Sequence, residues 1–278
     1  MYPIYDFGGS GQIINLLPAN GFPPETYMLL LRPLTDHYHV ICMLPRALWP
    51  DEKPPTELHQ WDMLSDDLLA GLAYHKLDKV IAIGHSFGGI ASMIAAVRQP
   101  ELFSALCLLD PTFFRPEWLE GLEQMQRDGS IIEFPLVQGA MRRRRTFETT
   151  EAAFAYFKSK RLFADWPDES LQLYVQYGTQ PAADGGLELR WSPEWEAYYF
   201  STGFTRSWEV VPKLRGLLPI LAIGGGTTDT YVPEIAAMLH NELPEATFVE
   251  VAGHGHLFPQ TAPLPTEALI SQWLGQLR

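Results

Sequence analysis

The chain has 278 residues, 46% hydrophobic and 19% charged, a balance that excludes a disordered chain and suffices for one large core with an insertion. Its formal net charge of -13 opposes general attraction to nucleic acid or anionic lipid, so neither is an expected partner. No apolar run approaches the roughly 20 residues of a membrane span, and the aromatic, glycine-rich opening "MYPIYDFGGSGQ" does not read as an export signal, so the expected compartment is the cytoplasm.

In chain order, "IINLL" (13–17) reads as a strand, followed by the turn "PANGFPP" and a helical stretch "ETYMLLLRPL". A second strand is expected at "HVICML" (39–44), a helix at "WDMLSDDLLAGLAYH" and a third strand at "KVIAI" (79–83). That strand runs straight into "GHSFGG", and Ile90, Met93, Ile94 and Val97 then recur at helical spacing. So tight a reversal demands strained dihedrals at its apex and nearly absent side chains beside it, which Gly84, Gly88 and Gly89 supply. The turn lifts the Ser86 hydroxyl above the sheet and leaves the Phe87 amide at a helix N-terminus, where developing negative charge is stabilised. This is the pattern of a nucleophile elbow, G-x-S-x-G.

A fourth strand is expected at "SALCLL" (104–109). Cys42 and Cys107 both fall inside predicted strands, which suits small buried hydrophobes in a reducing compartment. Neither has a partner at zinc spacing, so no metal site is expected. Strand and helix alternation then fails over 112–208, where 19 of the 34 aromatic residues lie. "EWLEGLEQMQRDG" and "TEAAFAYFKSKRLFADW" look helical there, and "PAADGGLELRWSP" looks like a loop or short hairpin. The division expected is a core of 1–111 and 209–278 with an inserted, mainly helical cap of 112–208. Most of the cap's aromatics are expected in its own small core, and some on the wall of a pocket. Its run "MRRRRTF" reads either as a solvated face or as a docking patch for an anionic substrate tail.

Beyond the insertion, "PILAI" (219–223) and "TFVEV" (247–251) read as strands, with helices at "PEIAAMLHNEL" and "TEALISQWLGQL". Near-continuous apolar strands imply burial on both faces, hence a mostly parallel sheet flanked by helices, an α/β fold. A serine nucleophile needs a general base, and the best placed histidines stand in the glycine-punctuated loop "VEVAGHGHLFP" after the last strand.

With the elbow, an acidic loop and this histidine loop in order, the chain resembles the α/β-hydrolase family over roughly 1–110 and 213–278. The resemblance implies Ser86 as nucleophile, His256 as base and Asp229 in "GGGTTDTYVP" as the acid, with Asp110 in "CLLDPTFF" the rival. His254 then becomes a neighbour of the site, and His85 packs under the elbow with no catalytic role. The implied oxyanion donors are the amides of Phe87 and Phe22. Asn20-Gly21 departs from the family's usual His-Gly, which leaves the role of the Asn20 side chain open. The activity implied is cofactor-free acyl transfer to water on an apolar or aromatic small molecule. A carboxylic ester comes first, with thioesters, carbon-carbon bonds and ligand binding without turnover as alternatives.

Overall fold

Six apolar runs found in the sequence supply six strands of one seven-stranded sheet. The computed structural model describes residues 2–183 and 185–277. In chain order the strands are β1 (Ile4–Gly8), β2 (Ile13–Leu17), β3 (His39–Met43), β4 (Val80–His85), β5 (Phe103–Leu109), β6 (Thr146–Phe147), β7 (Thr179–Pro181), β8 (Leu187–Leu189), β9 (Ile220–Gly225) and β10 (Thr247–Val251). The large sheet runs β1-β3-β2-β4-β5-β9-β10. All its pairings are parallel except β1 with β3. β1 was not expected: an edge strand holding Tyr5, Asp6 and a terminal glycine shows no continuous apolar run, and its side chains are only partly buried.

Side chains alternate across the pleat, so β4 sends Val80 and Ala82 to one core and Ile81 and Ile83 to the other. The first core is closed by α1 (Asp62–His75), α2 (Phe87–Arg98) and, beyond the insertion, the helix Pro233–Glu242. The second is closed by the helix Pro263–Gln276 and by the segment 24–36. That segment, expected as one helix, is a single α-turn between two 3₁₀ turns. Pro33 lacks the amide that a continuous helix would use.

The chain between β5 and β9 gives no strand to the large sheet. It carries α3 (Pro116–Asp128), α4 (Pro135–Met141), α5 (Thr150–Lys158), α6 (Asp168–Gly178) and α7 (Pro193–Ser201), followed beyond β9 by α8 (Pro233–Glu242) and α9 (Pro263–Gln276). Its three short strands form a separate antiparallel sheet, β6-β8-β7, so the hairpin expected at "PAADGGLELRWSP" gains a third member. The aromatics here mostly extend the two cores of the sheet instead of forming a third: Trp191, Trp195 and Tyr199 join one, and Phe157, Phe163 and Tyr174 the other. Among the described residues no helix is long and apolar enough to cross a membrane.

The helix α2 lies hard against the end of β4. A Cβ at Gly88 would stand 2.3 Å from the Leu17 carbonyl oxygen, and one at Gly84 would stand 2.5 Å from the Gly88 carbonyl oxygen. Gly88→Ala is therefore expected to lower stability by about 1–3 kcal/mol through overpacking. Gly121→Ala, in a helix with nothing within 4 Å of the added atom, should be neutral or stabilising by about 1 kcal/mol. Thermal or urea denaturation of the two variants reads the contrast, and equal effects would contradict the packing described.

Candidate active site

Ser86 alone separates β4 from α2, at φ 58 and ψ -125. An L residue stays in that conformation only where the surroundings hold it. Here the Ser86 N–H donates to the Leu109 carbonyl at 2.9 Å, and the Gly89 N–H donates to the Ser86 carbonyl at 3.0 Å. The hydroxyl of Ser86 is turned toward the imidazole of His256, with Oγ 3.0 Å from Nε2. On the other side of the ring, Nδ1 lies 2.7 Å from Oδ1 of Asp110.

Asp110 is wholly buried, and its other side-chain partners are donors: the Gly225 N–H reaches Oδ2 at 2.8 Å, and the Thr228 hydroxyl reaches Oδ1 at 2.7 Å. The carboxylate thus accepts from Nδ1–H of His256, which leaves Nε2 to accept the Ser86 proton. Thr112, which carried no sequence signal, places Oγ1 2.9 Å from Ser86 Oγ. With the Ser86 hydrogen committed to His256, the Thr112 hydroxyl is the donor of that contact.

The expectation for Asp229 is corrected by this geometry. Parallel pairing of β4 with β5 sets His85 opposite Leu109, so the next residues, Ser86 and Asp110, leave the sheet side by side. The loop after β9 turns at once, with the Thr228 N–H on the Gly225 carbonyl at 3.2 Å, and contributes an amide and a hydroxyl to Asp110. Asp229 is carried past the imidazole to an exposed position, where Oδ1 accepts from Thr230 at 3.4 Å. Gly225 lets the histidine loop close in, since a Cβ there would meet the carbonyls of His254 and Gly255 at 2.6 Å. His254 bonds Thr261 Oγ1 through Nδ1 at 2.9 Å and stands beside the site, not in it.

His85 is fully buried beneath the elbow. Its Nε2 donates to the His256 carbonyl at 2.9 Å, so Nδ1 accepts from the Tyr27 hydroxyl at 2.7 Å. Tyr27 in turn accepts the Ala19 N–H at 2.8 Å. Burial, and then the neighbouring His256, hold the pKa of His85 well below its ordinary 6.5. His85 therefore remains neutral and ties the histidine loop to the turn 19–22.

Of the two expected oxyanion donors, Phe87 opens α2, where the first amides have no acceptor within the helix. The Phe22 N–H closes a turn on the Ala19 carbonyl at 3.2 Å, so in this state it serves its own loop. The Phe22 ring packs on Trp166 and Tyr174, with centroids 6.0 and 5.6 Å away. Asn20 donates from Nδ2 to the Glu196 carbonyl at 2.9 Å, which fastens this turn to α7.

A cavity of about 770 Å³ lies over Ser86 and His256. Trp61, Phe87, Phe113, Phe114 and Tyr199 give it apolar walls, and the insertion contributes a basic stretch, Arg142 to Arg144, with Lys160. Of the run "RRRR", Arg145 alone is outside the lining and pairs with Glu194 at 2.6 Å.

A model described as "Alpha/beta hydrolase family" matches residues 16–269. The chain is 25% identical over 268 residues to the 2-(acetamidomethylene)succinate hydrolase of Mesorhizobium japonicum, covering 96% of this chain and 89% of that protein. It is 23% identical over 257 residues to the uncharacterized hydrolase YugF of Bacillus subtilis, covering 83% and 78%. Among solved structures, an E-2-(acetamidomethylene)succinate hydrolase superposes with a TM-score of 0.77 at 22% identity, over 98% of this chain and 94% of the other. A thioesterase domain from a curacin biosynthetic pathway does so with a TM-score of 0.73 at 16% identity, over 96% and 94%. These structural likenesses speak for the fold.

The neutral state of His85 has a consequence for stability. Its folded pKa lies below the 6.5 of a free imidazole, so the unfolded chain takes up the proton first on acidification. Its contribution is complete above about pH 6.5 and falls below it, by up to about 1.4 kcal/mol per pH unit. His85→Gln keeps a donor and an acceptor but does not titrate, so urea denaturation between about pH 5 and 7.5 should lose one proton's worth of slope. An unchanged slope would show that His85 is not the group responsible.

Proposed function

The chain belongs to the alpha/beta hydrolase family, and from that premise we propose that it hydrolyses a carboxylic ester or related acyl bond through an acyl-enzyme on Ser86. The observation that carries this reading is the line from Asp110 Oδ1 to His256 Nδ1 at 2.7 Å and from His256 Nε2 to Ser86 Oγ at 3.0 Å. In the proposed reaction Ser86 Oγ attacks the carbonyl carbon as its proton passes to Nε2, and the buried Asp110 stabilises the imidazolium. Negative charge on the carbonyl oxygen falls to the Phe87 amide. Phe22 supplies the second donor when its long contact to Ala19 yields to the stronger anionic acceptor. The leaving group takes the proton from Nε2, a water then gives its proton to the same nitrogen as it attacks the acyl carbon, and Nε2 returns that proton to Ser86 Oγ as the Oγ–acyl bond breaks and the acid departs.

The insertion acts as a cap in this reading, because its residues and those of the turn 19–22 face one another across the cavity. The aromatic walls fit an apolar or aromatic portion of the substrate and favour an ester over a strongly hydrated group. Thr112 donates to Ser86 Oγ and so stabilises the alkoxide as it forms.

A fluorophosphonate probe should label the wild type at one site and fail to label Ser86→Ala, as read by intact mass. A chain that binds ligand without turnover would remain unlabelled in both. On a p-nitrophenyl ester, Asp110→Asn should reduce kcat by roughly 10³- to 10⁴-fold, because the imidazole loses its orienting acceptor. Asp229→Asn should cost about threefold or less, since its exposed carboxylate has no contact with His256. A larger loss at Asp229 than at Asp110 would refute the assignment.

A further inference from the structure

The cavity carries a charge opposite to that of the protein. Of the 20 lysines and arginines in the chain five line it, against two of the 33 aspartates and glutamates. A chance distribution over so acidic a surface would give the reverse.

Two of these cations are neutralised within the protein. Arg143 forms an ion pair with Glu196 and donates to the Tyr174 hydroxyl at 2.7 Å, and Arg115 stands 3.8 Å from a Glu234 oxygen. Arg142, Arg144 and Lys160 have no carboxylate partner among the described residues, and all three are exposed at the rim. Arg144 and Lys160 converge on a single ring. The Arg144 guanidinium lies 5.4 Å and the Lys160 Nζ 4.2 Å from the centroid of Tyr156, and Arg144 also lies 5.0 Å from that of Phe147. Arg144 uses Nε on the Thr146 carbonyl at 2.8 Å, which fixes the guanidinium and leaves its terminal nitrogens to a ligand. Two like charges held against one ring raise the positive potential at the rim, and a bound anion relieves it.

We propose that the substrate bears an anionic oxyacid group, a carboxylate or a phosphate, which Arg144 and Lys160 hold at the rim while its acyl carbonyl lies at Ser86. This inference deepens the acyl-hydrolase reading and rests on it. The apolar part of such a substrate spans the aromatic walls between the two ends, and the anion keeps part of its hydration because its partners are exposed. A carboxylate would lie at the far end of the acyl chain, whereas a phosphate would belong to the leaving group.

Matched pairs test both sources. For the carboxylate, p-nitrophenyl hexanoate is compared with the mono-p-nitrophenyl ester of adipic acid. For the phosphate, hexanoyl-N-acetylcysteamine is compared with hexanoyl-coenzyme A. In at least one pair the charged member should be preferred in kcat/KM by roughly 10- to 100-fold, less at high salt. In the double variant Arg144→Gln, Lys160→Gln that ratio should collapse toward one, while Arg145→Gln, which lies off the cavity, should keep it. Ratios near or below one in both pairs for the wild type, or a ratio unmoved in the double variant, overturn the proposal. Calorimetric titration of Ser86→Ala with adipate, adipamide and coenzyme A reads the anion site without turnover. Selective, double-variant-sensitive binding of an anion by a chain that cleaves no ester would retain the site and sink the hydrolase reading. No binding and no preference would sink the site.

Discussion

The loops at the carboxyl ends of β5, β9 and β10 are organised around one buried carboxylate. Asp110 has no exposed surface, and a charge in that position is tolerable only when its lone pairs are filled. Three donors come from two places along the chain: the Gly225 amide and the Thr228 hydroxyl at and just after the end of β9, and an imidazole N–H from the loop after β10. Each donor satisfies the carboxylate and is fixed by it. The tautomer of His256, and with it the direction in which Ser86 can lose a proton, is a consequence of how that charge is buried.

A second buried link acts on the same imidazole from below. His85 sits under Ser86, and its hydrogen bonds run from the His256 carbonyl through Tyr27 to the Ala19 amide. Because a carbonyl and an amide N–H occupy the two ends, each internal donor and acceptor has only one arrangement available. His256 and the turn that holds Phe22 are thereby indexed to one another through two buried side chains, His85 and Tyr27, neither of which lines the cavity. The elbow's second residue thus ties the histidine loop to the turn 19–22.

Much of this was legible in the sequence. The strands buried on both faces appeared as apolar runs, and the elbow appeared because its glycines are demanded by backbone approach, which is a local property. The glycine-rich loop after the last strand pointed to its two histidines and the family resemblance to His256, whose Nε2 lies 3.0 Å from Ser86 Oγ. The carboxylate that meets His256 did not follow, because its position depends on which strand ends lie side by side. Counting from Ile223 reaches Asp229, but the pairing that sets His85 opposite Leu109 brings Asp110 next to Ser86 instead. Thr112 was invisible for the same reason. β1 was missed because an edge strand need not be apolar, and α7 because side chains buried on nearly every side leave no clean helical stripe.

The insertion is fastened unevenly, one side by buried contacts and the other by exposed side chains. On one side Arg190 pairs with the buried Glu25 at 2.8 Å, Trp195 donates to the Glu52 carbonyl at 3.0 Å, and Trp61 of the core donates to the Tyr199 carbonyl at 2.9 Å. Separating Glu25 from its partner would leave a buried charge unpaired, at a cost of about 3–5 kcal/mol. The α7 side is therefore a fixed wall. On the other side Trp118, Leu136 and Leu162 line the cavity while keeping more than half of their surface in solvent. Exposed apolar side chains at a cavity rim are easily displaced, since moving them breaks few contacts. If the proposed anion site holds, a molecule entering from the α3 to α5 side passes Arg144 and Lys160 before it reaches the aromatic walls and Ser86.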